Sequence, residues 1–436
     1  MRLTRHELAA LAAGSGGPAT VERLVASRHG THALLLWGVQ HTARARAHPQ
    51  AARARFAFEL IRDLQKAHPE AAGAVLRHPS VGAWARSTLD RLNGGLELPG
   101  TPRRAAEPAA LASVAAAVAV RAGVPCAIEV PAIDGTVTLP SLGSADLPEG
   151  PAVLRQTERG TDLRGGGAHV RIPRASGAPA PGWHGLRPLP TAGPSFLLDD
   201  VDPFRVPGVV PAARLDDADL ARWRSTLAQA WHLLARHHWT CADEIRATIT
   251  VITPLPDRSD EPWSATSPAA FGSAAISAPP DPVSLAVTLA HEVQHAKLVA
   301  LMGAVELIDL AGPGGDELFY APWRDDPRPL GGLLHGAYAH LGIAGFWRRQ
   351  RHVEDGASAV RAHAGFARWR AAGAQATRTL LDSGRLTRQG REFTLGMRET
   401  LLAWSDEPVP AAARRRAERD AARHQAQWRR RVHGAR

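Results

Sequence analysis

The strongest chemical signal in this 436-residue chain is the motif His291-Glu-Val-Gln-His295, in the segment 285–298. The two histidines are four residues apart, so on a helix their imidazoles project from one face and can bind a single metal ion. Glu292 follows the first histidine, as in the HExxH signature of zinc hydrolases, where this carboxylate is the general base. The pattern therefore predicts a metal site on a helix.

The flanking residues predict that this helix is buried. Apolar residues surround much of its circumference, namely Ala286, Val287, Leu289, Ala290, Val293, Leu298, Val299 and Leu301. Asp281 is expected to cap the helix, with Pro282 in its first turn. The alternative is a polar face with two solvated histidines. Buried histidines, however, need polar partners, and a metal ion supplies them.

The residues after the motif distinguish between classes of HExxH protein. A metzincin has glycine and histidine seven and ten residues after the first histidine, but Leu298 and Leu301 occupy these positions. A glutamate ligand on a following helix is also weakly indicated, because Glu306 and Glu317 fit no helical ligand pattern. These departures weaken the prediction of a protease without excluding it.

His335 is the better third ligand. It lies 40 residues after His295, in the glycine-flanked apolar segment 331–340. His340 is the reserve candidate, although a role as a core histidine is more typical of its surroundings.

Two arginines, Arg324 and Arg328, lie between these histidines in the segment 320–329. Arginine forms bidentate pairs with carboxylates, so these side chains favour an anionic ligand over a neutral peptide bond. An arginine–aspartate turn held by local salt bridges is the structural alternative. A metal with three histidine ligands, three open positions and a nearby arginine fits a 2-oxoglutarate site, with three histidines in place of the usual two histidines and a carboxylate.

These residues resemble a known family, the HExxH-type peptide-modification proteins of ribosomal peptide natural product clusters, described as 2-oxoglutarate-dependent peptide β-hydroxylases. The resemblance runs through most of the chain, and its specific blocks are 291–298 and a closing set. The closing set is 322–324, 328–329 and 334–336; the other blocks are 10–14, 78–79 with Trp84, 139–143, 198–203, 264–267 and 271–272.

The resemblance implies a non-haem Fe(II) dioxygenase that uses 2-oxoglutarate and O₂ to hydroxylate a side-chain β-carbon of a precursor peptide. On this interpretation His291, His295 and His335 hold iron, and Glu292 orients a ligand or water instead of acting as a base. From the spacing we assign the distal carboxylate of 2-oxoglutarate to Arg328, with Arg324 as the second candidate. The two alternatives are a zinc metallopeptidase and a non-enzymatic peptide-binding maturation partner.

Composition narrows the cellular setting and the partners. The net charge is +10, but the basic tail from Arg414 to Arg436, with nine arginines and two acids, carries +7 of it. The rest of the chain is therefore only weakly basic, which argues against a nucleic-acid partner. Two cysteines, a polar start without a signal-peptide pattern and no long apolar run predict a cytoplasmic protein without a membrane partner. The expected partners are a precursor peptide and other peptide-maturation enzymes.

The predicted fold class is α+β and predominantly helical, with a small antiparallel sheet in the middle and a zincin-like HExxH helix in the catalytic core. The predicted regions are an N-terminal helical region (1–105), a mixed region of hairpins and loops (106–215), a catalytic metal-binding region (216–410) and the basic tail (411–436).

Three local predictions complete this interpretation. A β-hairpin is expected from 126–130 to 136–139, around Asp134-Gly135. His78 is expected to be structural, because the sequence places no other metal-ligating residue near it. The acidic segment 196–205 is expected to form an Asx-type turn, with a carboxylate metal site as the minor alternative.

Overall fold

The computed structural model describes residues 2–95, 106–175, 177–257, 263–309 and 317–434, with side chains up to Arg431. The chain forms two compact units. The helical unit comprises Met1–Ser27, Gln229–Thr248 and Asp281–Arg436, and the mixed unit comprises Arg28–Ala228 and Ile249–Pro280. The division into four consecutive regions stays a prediction.

Helices make up 57% of the structure, which confirms the predominantly helical α+β class. In chain order they are α1 (Arg5–Ala12), α2 (Gly17–Ala45), α3 (Ala51–Ala67), α4 (Pro69–Leu76), α5 (Pro79–Leu92), α6 (Leu111–Ala122), α7 (Asp217–His237), α8 (Trp239–Thr248), α9 (Pro282–Met302), α10 (Leu330–Gln350), α11 (Gly356–Asp382), α12 (Arg388–Ala403) and α13 (Ala411–Gly434). Among the described residues, no helix is both long enough and apolar enough to cross a membrane.

The strands are short. They are β1 (Cys126–Ala132), β2 (Thr136–Leu139), β3 (Gly143–Asp146), β4 (Gly150–Thr157), β5 (Gly160–Gly165), β6 (Ala168–Ile172), β7 (Trp183–Gly185), β8 (Arg187–Pro190), β9 (Ser195–Leu198), β10 (Val251–Leu255), β11 (Ser264–Ala265), β12 (Ser273–Ser277), β13 (Leu318–Phe319) and β14 (Arg328–Pro329). All but the last two belong to the mixed unit.

The mixed unit contains antiparallel sheets ordered β1-β4-β5-β6 and β2-β3-β7, and a mixed sheet ordered β11-β12-β10-β9-β8. In the mixed sheet β10 runs parallel to both β9 and β12, a feature that the prediction of an antiparallel sheet did not include. The alanine-rich α6 is buried from Leu111 to Ala119 and packs against α3, α4 and β1. Small side chains allow this close approach, which forms the core of the unit.

The predicted hairpin is partly wrong. The turn at Asp134-Gly135 forms, because both residues adopt the positive φ angles that such a turn requires. Its two strands nevertheless pair elsewhere, β1 with β4 and β2 with β3. Alternating apolar residues specify that a strand is half-buried, but they do not specify its partner.

The motif helix α9 begins as predicted. Asp281 is its N-cap and accepts hydrogen bonds from the backbone N–H groups of Val283 and Ser284, and Pro282 is the first helical residue. Most of its residues from Leu285 to Leu301 are buried. The helical unit therefore encloses α9, and its few polar side chains must find partners inside the protein.

Lys297 is the most deeply buried of these polar groups. Its Nζ lies 2.7 Å from Glu244 Oε2 on α8, and it also donates to the backbone oxygens of Gly14 and Ser15 at 3.0 and 3.1 Å. Lys297 and Glu244 are only 0% and 2% exposed, so neither charge has water as an alternative partner.

We expect Lys297→Met to lower the free energy of unfolding by about 3–5 kcal/mol, because it leaves the Glu244 carboxylate buried without its cation. Lys66 is the matched control, since it is the other lysine of the chain and is exposed on α3. Lys66→Met should change the stability by less than about 0.5 kcal/mol in the same urea titration. Equal effects of the two substitutions would contradict the structural role of Lys297.

Candidate functional site

The helix α9 brings His291 and His295 together. Their Nε2 atoms are 3.0 Å apart and their ring centroids are 4.6 Å apart. Two nitrogens that each lie about 2.1 Å from one ion, at roughly a right angle, are also about 3 Å apart. The pair therefore has the separation of two ligands that share an ion.

The helix α10 adds two further histidines. The His335 ring centroid lies 5.8 Å from that of His295, and the His340 centroid lies 5.3 Å from that of His291. The two helices pack closely at Gly342, where a β-carbon would lie 2.9 Å from the Ala290 carbonyl oxygen. The four rings thus lie close together. The predicted ligands His291, His295 and His335 are partly exposed, whereas His340 is buried.

Hydrogen bonding distinguishes His340 from the other three. Its Nδ1 lies 2.8 Å from the backbone oxygen of Gly336, which can only accept, so Nδ1 carries the proton and Nε2 does not. This is the tautomer of a metal ligand held by a backbone carbonyl. Its ring is also stacked on Trp323 at 4.3 Å and contacts Trp369 at 4.7 Å. His340 therefore supports the site from the protein side and remains the reserve ligand.

Burial keeps these imidazoles uncharged at neutral pH. It lowers the pKa of His291 to about 4. Burial, together with the neighbouring His291, lowers the pKa of His295 to about 3. The pKa values of His335 and His340 are also lowered, chiefly by burial. An uncharged imidazole has a lone pair for a metal ion, so the cluster is electrostatically suited to bind a cation.

Glu292 lies beside the cluster. Its side chain is 2% exposed, and its Oε1 is 3.7 Å from Nε2 of His291. That distance is too long for a hydrogen bond. It places the carboxylate next to the position that a metal would occupy, where it can orient a bound water or a ligand.

The two predicted arginines meet at one carboxylate. Arg324 Nε donates to Asp326 Oδ1 at 2.7 Å, and Arg328 Nη1 donates to Asp326 Oδ2 at 3.2 Å. Partial burial raises the pKa of Asp326, but the hydrogen bonds from the two arginines lower it by more. The pKa of Asp326 therefore lies below its usual value. The segment thus forms the arginine–aspartate turn of the structural alternative, and its arginines are half-exposed.

This arginine loop, residues 320–328, is held against the histidines. The ring of Trp323 stacks on His340, and a β-carbon at Gly336 would lie 2.4 Å from that ring. The glycine that follows His335 therefore makes room for Trp323. Any larger residue would displace the loop from α10.

The basic tail is ordered as helix α13, and it contacts the other side of the arginine loop. Tyr320 Oη lies 2.9 Å from His424 Nδ1, and Arg431 Nη1 lies 2.9 Å from Asp325 Oδ2. Ala413 and Ala417 pack this helix against α11 around Phe366. The tail therefore has a structural role in the helical unit.

A cavity of about 650 Å³ lies beside the arginine loop. Tyr320 and Pro322 of the loop line it, together with residues of α11 and α13 that include Arg368, Arg370 and Arg414. Its volume is in the range of cavities that hold small ligands or a few residues of a peptide.

A second cluster lies in the mixed unit, and the sequence did not predict its assembly. His78, Asp199 and Asp202 are all buried, and within the described ranges they are the group of metal-ligating side chains whose ligand atoms all lie within 4.8 Å of one another. His291, His295 and His335 do not form such a group among the described residues, because their ligand nitrogens do not all lie within that distance of one another. Burial lowers the pKa of His78 to about 4, and burial with the charge of Asp199 raises that of Asp202 to about 7. This cluster could bind a metal ion.

The reason given for a purely structural His78 is therefore wrong, because two carboxylates lie next to it. The predicted Asx-type turn does form, since Asp199 Oδ1 accepts hydrogen bonds from the backbone N–H groups of Val201 and Asp202. The sequence distinguishes the segments 78–79 and 198–203 only as separate blocks. No local pattern connects residues more than 120 positions apart, so their meeting depended on the fold.

No protein-family model matches the chain, and no curated protein matches it either.

We expect His335→Ala to weaken the binding of one added Fe(II) or Zn²⁺ ion per chain by at least tenfold, because it removes a third of the predicted ligand set of that ion. His352→Ala is the matched control, as this exposed histidine follows α10 in the same unit. Equilibrium dialysis with metal analysis measures both. Unchanged retention in His335→Ala, with loss in His340→Ala, would transfer the role to His340.

Proposed function

We propose that the chain is a non-haem Fe(II)- and 2-oxoglutarate-dependent dioxygenase that hydroxylates a side-chain β-carbon of a ribosomally made precursor peptide. In this proposal His291, His295 and His335 hold the iron. The zincin-like HExxH helix α9 would then bind iron for an oxidation instead of zinc for a hydrolysis. The main support from the geometry is that imidazoles of α9 and α10 converge beside a loop whose two arginines meet a carboxylate.

The donor set fits iron. Imidazole nitrogen is a suitable ligand for Fe(II) as well as for zinc, and three protein ligands leave positions for a chelating cosubstrate and O₂. His291 is 18% exposed at its side chain, whereas Glu292 beside it is 2% exposed. The histidine face therefore opens outward, as access by a cosubstrate requires, while the acid stays inside.

The carboxylate-binding arginines are the observation that favours 2-oxoglutarate most. Each oxygen of Asp326 receives one guanidinium N–H, from Arg324 or from Arg328. These donors also suit the distal carboxylate of a dicarboxylic acid, which would take the place of Asp326. Arg328 lies over the first turn of α10. Its Nε is 3.2 Å from the position of a β-carbon at Gly332, which is three residues before His335.

The protein's own groups would then divide the work. When bound, iron would let O₂ convert 2-oxoglutarate into succinate and CO₂, with one oxygen atom entering succinate and the other entering a C–H bond of the peptide. Arg328 would position the cosubstrate, and Glu292 would orient a ligand or water. Trp323 would hold the arginine loop against His340, and the cavity beside the loop would accept the peptide.

The direct test is turnover with synthetic candidate precursor peptides. With Fe(II), ascorbate and 2-oxoglutarate, we expect the peptide mass to increase by one oxygen atom and succinate to form in equal amount. His335→Ala should abolish both, while His352→Ala should retain both. Peptide cleavage with zinc alone, and no mass gain under any iron condition, would refute the dioxygenase.

A zinc metallopeptidase is the second candidate, and the position of Glu292 favours it. A carboxylate 3.7 Å from a ligating His nitrogen is close enough to reach a water on the same metal. Glu292→Gln separates the two functions. It should abolish a peptidase, which needs the carboxylate as a base, but only reduce a dioxygenase in which it orients a neighbouring group.

We expect Arg328→Ala to raise the apparent KM for 2-oxoglutarate by about tenfold to a hundredfold, the effect of losing a charge-assisted hydrogen bond. Arg361→Ala is the matched control, because Arg361 is an exposed arginine on α11 in the same unit. Steady-state succinate release at varied 2-oxoglutarate measures both. An unchanged KM for Arg328→Ala, with a raised KM for Arg324→Ala, would assign the contact to Arg324.

A further inference from the structure

Two buried atoms of the cluster of His78, Asp199 and Asp202 face each other. They are His78 Nε2 and Asp199 Oδ2, and among the described residues neither has a hydrogen-bond partner. They are 3.9 Å apart, which is longer than a hydrogen bond. His78 and Asp199 are 4% and 0% exposed, so bulk water does not solvate these atoms.

The proton positions follow from the neighbouring groups. Ser80 forms a side-chain hydrogen bond that lowers the pKa of Asp202, so the serine hydroxyl is the donor. Ser80 Oγ then accepts from His78 Nδ1, 2.8 Å away. Nδ1 therefore carries the imidazole proton, and Nε2 faces Asp199 with a lone pair.

The remaining carboxylate oxygens already have partners that fix their orientation. Asp199 Oδ1 accepts from the backbone of Val201 and Asp202, and Asp202 Oδ1 accepts from Phe204 N–H at 2.8 Å. Backbone hydrogen bonds thus hold both carboxylates while leaving Asp199 Oδ2 without a donor. This is the arrangement that orients a ligand toward an ion.

The local charge leaves room for a cation. Asp200, between the two acids, is already paired with Arg187 and Arg214. Arg205 also interacts electrostatically with Asp199 and Asp202. The hydrogen bonds of its Nη1 and Nη2 go to the backbone oxygens of Asp202 and Ala212. Arg205 thus faces the two carboxylates, and the charge of a second guanidinium, that of Arg121, acts on the neutral imidazole.

We propose that His78, Asp199 and Asp202 form a second metal site, which binds a divalent transition-metal ion such as Zn²⁺ or Mn²⁺. One imidazole and two carboxylates are a donor set that suits these ions. Two ligands of one such ion are at most about 4.2 Å apart, and the 3.9 Å between His78 Nε2 and Asp199 Oδ2 is within that limit. Ser80 is a positioning residue, because it holds the His78 tautomer.

A cavity gives the ion access to the cluster. It has a volume of about 100 Å³, is lined by Ser80 and Asp202, and has Trp84 and Phe204 among its apolar walls. This volume holds about three water molecules. The site would therefore keep a position for water or a small ligand beside Asp202.

The test counts the ions bound to the full chain. After removal of metals with a chelator, the protein is incubated with Zn²⁺ or Mn²⁺, freed of excess ion by gel filtration and analysed by mass spectrometry of the metal. We expect Asp199→Asn to bind one ion per chain fewer than the unsubstituted protein. Asp134→Asn should bind the same number, since this carboxylate lines the same cavity outside the cluster.

A second variant tests the proposal even if Asp199→Asn does not fold. It also distinguishes an ion at this site from an ion at the histidines of α9. In the double variant His291→Ala/His295→Ala the cluster of His78, Asp199 and Asp202 is intact. We therefore expect this variant to retain one Zn²⁺ or Mn²⁺ ion per chain, and its Tm to rise when the ion is added. No retained ion and no Tm shift in that chain, or equal ion counts for Asp199→Asn and the unsubstituted protein, would overturn the proposal.

Discussion

The buried ion pair between Lys297 and Glu244 fixes the helix on which the candidate site depends. The helix α9 is apolar around much of its circumference, so hydrophobic packing alone would permit several rotations about its axis. Lys297 removes that freedom because its hydrogen bonds go to Glu244 and to the carbonyls of Gly14 and Ser15. Gln294 donates to the same Gly14 carbonyl. With this face fixed, the rotation of α9 brings His291 and His295 to His340 and His335 of α10.

The second constraint is the close fit between α10, the arginine loop and α13. Gly336 admits the Trp323 ring, which stacks on His340, and His340 in turn contacts the His291 ring. On its outer side the loop is tied to α13 through Tyr320 and Asp325. The basic tail, which composition alone describes as a charged terminus, thus helps to position the arginines that we assign to cosubstrate binding.

The sequence predicted local features well because local features have local causes. The cap at Asp281, the proline after it and the histidine spacing each depend on residues within one or two helical turns, and α9 has all three. Features set by long-range contacts were not predictable in this way. The pairing of β1 with β4, and the role of Lys297 as the partner of Glu244, depend on segments that only the fold brings together.

The cluster in the mixed unit shows the same limit at a site. His78 and the acidic segment 198–203 were each noticeable in sequence, yet neither indicated the other. Their convergence leaves Asp199 Oδ2 and His78 Nε2 without hydrogen-bond partners in the part of the chain that the structure describes, a feature that depends on the positions of the side chains. By contrast, the histidines of α9 and α10 were predicted as a set, because the HExxH motif identifies two of them by spacing alone.

The central claim is that His291, His295 and His335 hold an iron ion to which 2-oxoglutarate chelates. Its most direct test is an anaerobic titration of the Fe(II)-loaded protein with 2-oxoglutarate, followed by visible absorption. The account predicts a charge-transfer band that saturates at one 2-oxoglutarate per chain and is absent from His335→Ala. Iron bound at full occupancy with no band at any 2-oxoglutarate concentration would contradict it.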